Sequence, residues 1–178
     1  MPAYFAYGSN LLTQRLLARC PGLAGIGTGH LQDFQVAFTK YSWMDGSGKA
    51  TLAPSTGARA HGVLYELPEG DVEALDAIEG VGKGYERIEA VEVVTGGIKV
   101  TAFSYIASDP RDGQRPFDWY LALILAGCLE WDLPTEAQRA FRQTLWDTDP
   151  QPDRPGRKLA IAALDAAGHN DWLGLLTR

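Results

Sequence analysis

The order of apolar and polar positions divides the chain into strands first and helices later. Tyr4 to Tyr7 is an unbroken aromatic and apolar run, which predicts a buried first strand. Gly8, Ser9 and Asn10 follow as a turn. "LLTQRLLARC" then places Leu12, Leu16 and Leu17 around Gln14 and Arg15, the spacing of an amphipathic helix, and Pro21 and Gly22 end it. "DFQVAFTKY" alternates Phe34, Val36 and Phe38, and "AHGVLYELP" alternates His61, Val63, Tyr65 and Leu67, so both read as strands. Between them, "WMDGSGK" reads as a loop or hairpin tip, and "ATLAPS" as a short strand ended by Pro54.

The period changes at "GDVEALDAIEG". Val72, Leu75 and Ile78 fall on one helical stripe, with Asp71 as the expected N-cap and Gly80 as the stop. "YERIEAVEVV", "TGG" and "IKVTAFSYI" predict a hairpin of two longer strands. "PFDWYLALILAGCLEW" predicts a buried helix, and "PTEAQRAFRQTLW" another with Thr135 as N-cap. A proline-rich link, "DTDPQPDRPGR", leads to a helical tail from about residue 150. The expected class is α+β, a mostly antiparallel sheet or small barrel, in a single domain spanning 1–178.

Composition narrows the function. At 178 residues and 46% hydrophobic content, the chain can bury one ordinary core. A net charge of -6 argues against nucleic acid as a partner, which needs a basic surface. Cys20 and Cys128 stand far apart with no CxxC pair and no Cys/His cluster, so neither zinc nor a redox motif is expected. The start carries no basic stretch followed by an apolar run, the pattern of a signal peptide. "WYLALILAGCLEW" is short for a membrane span and is flanked by Asp118 and Glu130. These readings predict a soluble cytoplasmic protein that does not bind membranes.

Several motifs fail on inspection. "GIGTGH" and "GVGKGY" do not match GxGxxG. "GSGKA" has Trp43 where a phosphate loop needs glycine and Ala50 where it needs Ser or Thr. His30, His61 and His169 are scattered, and no Ser or Cys lies in a GxSxG context.

Glu79 is the odd residue. It closes the predicted helix, where unpaired carbonyls carry partial negative charge. That field favours the protonated carboxyl, a property that suits a general base near neutral pH. An exposed glutamate at a frayed helix end is the plainer alternative. Asp76, one turn earlier, reads as a second carboxylate of an acid/base pair, as a solvated residue or as a cap partner for the following loop.

These segments together resemble a known family. "YFAYGSNLL", "LQDF", "ATLAPS", "GVLYEL", "LDAIEGVGKGY" and the "VEVV" strand occur in the same order and at similar spacing in γ-glutamylcyclotransferases of the AIG2-like type. "WYLALILAGCLEWDLP" is similar to the late helix of that family, so the resemblance runs from Tyr4 to about Pro134. It implies a mixed barrel-like sheet with helices packed around it. It implies conversion of γ-glutamyl amino acids to 5-oxoproline with release of the amino acid. Glu79 would be the general acid/base, and Tyr4, Phe5, Ala6, Tyr7, Gly8, Ser9 and Asn10 would line the substrate pocket with Tyr85 and Tyr120. It implies no metal or cofactor, and it leaves a homodimer open.

The loop from Glu79 to Tyr85 is about one residue shorter than in the forms compared, which puts the place of Tyr85 in question. "YGSNL" differs from the "YGTLK" of γ-glutamylamine cyclotransferases and the "YGSL" of glutathione-specific ones, which favours the γ-glutamyl amino acid class. The alternatives are a cyclotransferase of the same fold acting on γ-glutamylamines or on a γ-glutamyl-protected biosynthetic intermediate, and a non-catalytic module that binds a small ligand. The leaving-group side is expected to be set by the loops 42–49 and 107–116.

Overall fold

The computed structural model describes residues 1–177. Five strands close into a barrel: β1 (Ala3–Ala6), β2 (Ala24–Tyr41), β3 (Gly48–Glu66), β4 (Tyr85–Thr95) and β5 (Ile98–Ala107), in the order β1-β3-β2-β4-β5. Every neighbouring pair is antiparallel except β1 and β5, which close the barrel in parallel at Tyr4 and Phe103. The expected α+β class and the mixed barrel-like sheet are both present.

The expected break at Pro54 is absent. "ATLAPS" and "AHGVLYELP" belong to one strand, β3, in which Pro54 lies opposite Phe34 of β2. The register shifts between Gln32 and Phe34, beside this proline, and here β3 has β2 as its sole neighbour. A proline that donates no N–H is tolerated on such an edge. "GIGTGH", which matched no nucleotide fingerprint, opens β2 and pairs with β3 from Gly25 to His30. The β4–β5 hairpin turns through Gly96 and Gly97, as expected.

The helices differ from expectation mainly at their starts. A 3-10 turn, Ser9–Leu11, precedes a short helix α1 (Thr13–Leu17). Helix α2 (Glu69–Glu79) begins with Pro68, not Asp71, at the cap. Asp71 lies inside the first turn, and its carboxylate accepts the Gly22 N–H at 2.8 Å, which ties the end of the α1 segment to α2. Gly80 ends α2 as expected, in the left-handed conformation (φ 67°) that a residue without Cβ adopts freely.

Helix α3 (Asp118–Glu130) is buried on every side from Asp118 to Cys128. Burying each of its large aliphatic side chains stabilises the fold by about 1.5–3 kcal/mol. Helix α4 (Thr135–Arg142) starts with Pro134, not Thr135, at its cap. Helix α5 (Pro155–Ala166) and the last turn α6 (Gly174–Thr177) pack against α3, and Ala160, Leu164, Trp172 and Leu175 join the same core as the barrel. Helix α3 also packs on the Ser9–Leu11 turn, so the most buried helix supports the loop that leaves β1. No helix among the described residues is long and apolar enough to cross a membrane.

Candidate active site

Strand β1 delivers the chain to Gly8 at one end of the barrel, and α2 delivers Glu79 to the same place. The two meet through Asn10. Its amide nitrogen donates to the Tyr4 hydroxyl at 3.0 Å and to Glu79 Oε1 at 3.2 Å. Its amide oxygen accepts from Arg19 at 3.0 Å, and Arg19 also donates to Glu79 Oε1 at 2.9 Å. Both bonds to the carboxylate fall on Oε1. Among the described residues, Oε2 has no hydrogen-bond partner. The expectation placed a helix-terminal field alone on Glu79. A guanidinium also bears on it, 2.9 Å from Oε1.

Around this pair lies a cluster of buried phenols. Tyr4, Tyr7, Tyr85, Tyr105 and Tyr120, with Gly8, Ser9, Asn10, Ala50 and Glu79, enclose a narrow cavity of about 30 Å³. The Ala50 peptide of β3 fixes two of the rings: its N–H donates to Tyr120 Oη at 3.1 Å, and its carbonyl accepts from Tyr85 Oη at 2.7 Å. Tyr85 therefore reaches the pocket despite the shorter loop before it. Burial pushes the Tyr120 phenol up to about 12, with the Glu79 charge adding to the shift. Burial likewise raises Tyr4, Tyr7, Tyr85 and Tyr105 above the ordinary phenol range. These rings are neutral hydroxyls at neutral pH, able to donate as well as accept.

Phe5 and Ala6 depart from the expectation. Both are fully buried, and neither borders the cavity. Side chains alternate along β1, so Phe5 points away from Tyr4, toward Gly62, and the Ala6 methyl is too short to reach the pocket. Asp76 is not a second pocket carboxylate. It accepts from Arg87 at 2.6 Å and from Tyr105 Oη at 2.8 Å, and so orients one of the lining phenols. Sequence reasoning missed Arg19, Ala50 and Tyr105. They lie far along the chain from Glu79, and no local pattern marks them.

The turn opens with two backbone donors. The Leu11 N–H bonds to the Gly8 carbonyl at 2.9 Å, which leaves the N–H groups of Ser9 and Asn10 ahead of the first bond of the turn. Gly8 has little room: a Cβ there would lie 3.1 Å from the Ala50 methyl and 3.4 Å from Tyr120 Oη.

An outer cleft of about 350 Å³ adjoins the cavity and shares Ser9, Glu79, Tyr85 and Tyr120 with it. Of the two loops expected on the leaving-group side, 42–49 lines this cleft through Ser42, Met44, Asp45 and Lys49. The 107–116 loop does not. In its place stand Arg15 and Arg19, Ile78, and the segment from Gln151 to Gly156 at the start of α5. Among the described residues no group of His, Cys, Asp and Glu is placed to hold a metal ion.

Known proteins share this arrangement of sequence and fold. Residues 4–121 match the family model described as "Gamma-glutamyl cyclotransferase, AIG2-like". The chain is 34% identical to a human γ-glutamylcyclotransferase over 146 residues, 78% of this chain and 76% of the relative. The mouse γ-glutamylcyclotransferase is 33% identical over the same shares. A solved structure of a γ-glutamyl cyclotransferase superposes with a TM-score of 0.81 at 32% identity, covering 90% of this chain and 98% of the other. YkqA of Bacillus subtilis shares the fold, with a TM-score of 0.70 at 22% identity. The chain therefore belongs to the AIG2-like γ-glutamyl cyclotransferase family.

Proposed function

We propose that the protein cyclises γ-glutamyl amino acids to 5-oxoproline and a free amino acid, with Glu79 as general acid and base. The observation that carries this reading is the free oxygen of Glu79. Oε1 is held by Asn10 and Arg19, and Oε2 is left available at the junction of cavity and cleft.

In this reaction the nucleophile belongs to the substrate. The α-amine attacks the γ-carbonyl, a C–N bond forms to close the five-membered ring, and the original γ-amide C–N bond breaks. Two protons pass from the α-nitrogen to the departing nitrogen. One carboxylate can carry them in turn, first as base and then as acid. No protein nucleophile is required, in keeping with the absence of a GxSxG context from the sequence. Much of the rate can come from holding the glutamyl chain folded upon itself, a task for a narrow cavity with fixed walls.

The N–H groups of Gly8, Ser9 and Asn10 are assigned to the oxyanion that develops on the γ-carbonyl or to the α-carboxylate, both of which need donors in a site of low polarity. The neutral phenols supply further donors. The test is 5-oxoproline release from a panel of γ-glutamyl dipeptides, with Glu79→Gln as control. The reading predicts release by the wild-type protein and its loss in the variant. Ligand binding without release would instead support a binding module.

A further inference from the structure

The protein carries a net charge of -6, yet the outer cleft concentrates five cations against two carboxylates: Arg15, Arg19, Lys40, Lys49 and Arg154 face Asp45 and Glu79. Three of the cations are already engaged. Arg19 is bonded to Glu79 and Asn10, Lys49 to Asp45 and Ser47, and Arg154 to Asp149. The other two are not. Among the described residues the Arg15 side chain makes no hydrogen bond or ion pair, and its Nε is buried without a partner. The Lys40 ammonium lies 5.2 Å above the Tyr85 ring and has no hydrogen bond either.

Leaving a partly buried guanidinium without a bonded counter-ion is unfavourable. Burial first, and then the nearby Arg19 charge, draw Arg15 down to about 10. Burial lowers Lys40 as well. An anion entering the cleft would relieve both. A carboxylate suits Arg15, because a guanidinium fork can bond both of its oxygens.

We infer that Arg15, assisted by Lys40, binds the carboxylate of the departing amino acid and so selects γ-glutamyl α-amino acids over uncharged γ-glutamylamines. This rests on the cyclotransferase reading of the same site. Placement decides which carboxylate of the substrate is meant. The inner cavity, with the Gly8–Asn10 turn, is bordered by neither Arg15 nor Lys40; both belong to the outer cleft alone. Glu79 stands between the two spaces, where the reacting carbonyl and the scissile nitrogen must lie. The carboxyl carbon of an α-amino acid is only two bonds beyond that nitrogen. It therefore falls just outside Glu79, on the side of the uncommitted cations.

The test uses two substrates that differ only in this group, γ-glutamyl-alanine and γ-glutamyl-alaninamide, with kcat and KM measured for each. The wild-type protein is expected to favour the acid in kcat/KM by roughly 10- to 100-fold, the worth of one charge-assisted hydrogen-bonded contact. In Arg15→Gln that ratio collapses toward unity, chiefly through a higher KM for the acid. Arg15→Lys recovers part of it. Lys40→Gln, on a different element, lowers the ratio less but in the same direction. Because the readout is a ratio within one protein sample, a loss of folded protein does not mimic it.

An unchanged ratio in Arg15→Gln overturns the inference. So does an equal loss on both substrates, which would place the glutamyl α-carboxylate at Arg15. A wild-type protein that releases 5-oxoproline from neither substrate would overturn the cyclotransferase reading itself, and the inference with it.

Discussion

Arg19 and Asn10 grip the same oxygen of Glu79, at 2.9 and 3.2 Å. The carboxylate is thereby held in one orientation with its other oxygen free, which is the arrangement a proton carrier needs. Glu79→Gln keeps the length of the side chain and an acceptor for both donors, but it cannot take up a proton. We expect 5-oxoproline release to fall by on the order of 10²–10⁴-fold, with circular dichroism unchanged. Turnover near the wild-type level would remove Glu79 from the chemistry.

Gly8→Val tests the turn. A first carbon added at Gly8 already sits 3.1 Å from the Ala50 methyl. Valine adds two more, which must displace Ala50 or Tyr120 from their mutual hydrogen bond. Such overpacking costs about 1–3 kcal/mol, and we expect turnover to be lost while the protein still folds. A variant as active as the parent would mean that substrate does not approach the backbone here.

Asp76→Asn separates positioning from chemistry. The variant keeps an acceptor for Tyr105 but loses its charge opposite Arg87, in a pair that is partly open to solvent. The expected loss is about 1 kcal/mol, or a drop of about 2–4 °C in Tm, with turnover reduced less than tenfold. A fall of a hundredfold or more with the fold intact would make Asp76 the second carboxylate that its place in the sequence also allowed.

The phenols set an alkaline limit. An unfolded tyrosine titrates near 10, and burial raises Tyr4, Tyr7, Tyr65, Tyr85, Tyr105 and Tyr120 above that. The folded state then holds more protons than the unfolded one, so stability from these groups is complete below about pH 10 and is lost as pH rises further. The Cys20 and Cys128 thiols, pushed up by burial to about 11 and about 12, act in the same sense. Lys49, drawn down by burial to about 8, acts in the opposite sense, as do Lys40, also lowered by burial, and Arg15, drawn down to about 10, but these are three groups against eight. We expect the urea midpoint to fall above pH 10 and phenolate absorbance to rise together with loss of helix signal. Full ionisation of the tyrosines in a protein that stays folded would contradict this.

How far the sequence could be read depended on the range of each interaction. Glu79 before Gly80 was legible because the cap is local: Gly80 closes the helix with bonds to Asp76 and Ala77, inside the same dozen residues. The β4–β5 hairpin was legible for the same reason. Arg19 gave no local sign, since its partner stands 60 positions away. Pro54 misled because whether a proline breaks a strand depends on how many neighbours the strand has, a property of the closed sheet. Phe5 and Ala6 were assigned to the pocket with the rest of their segment, although alternation along β1 turns Phe5 away from Tyr4 and the Ala6 methyl is too short to reach the cavity.

The wall formed by Gln151 to Gly156 comes from beyond residue 121, where the family match ends. Glu79, the Gly8 turn and the tyrosines that enclose the cavity all lie before that point. The inner cavity and one wall of the outer cleft are therefore drawn from separate stretches of chain. A change of residues at the start of α5 can reshape a wall of the outer cleft without touching any residue that encloses the inner cavity.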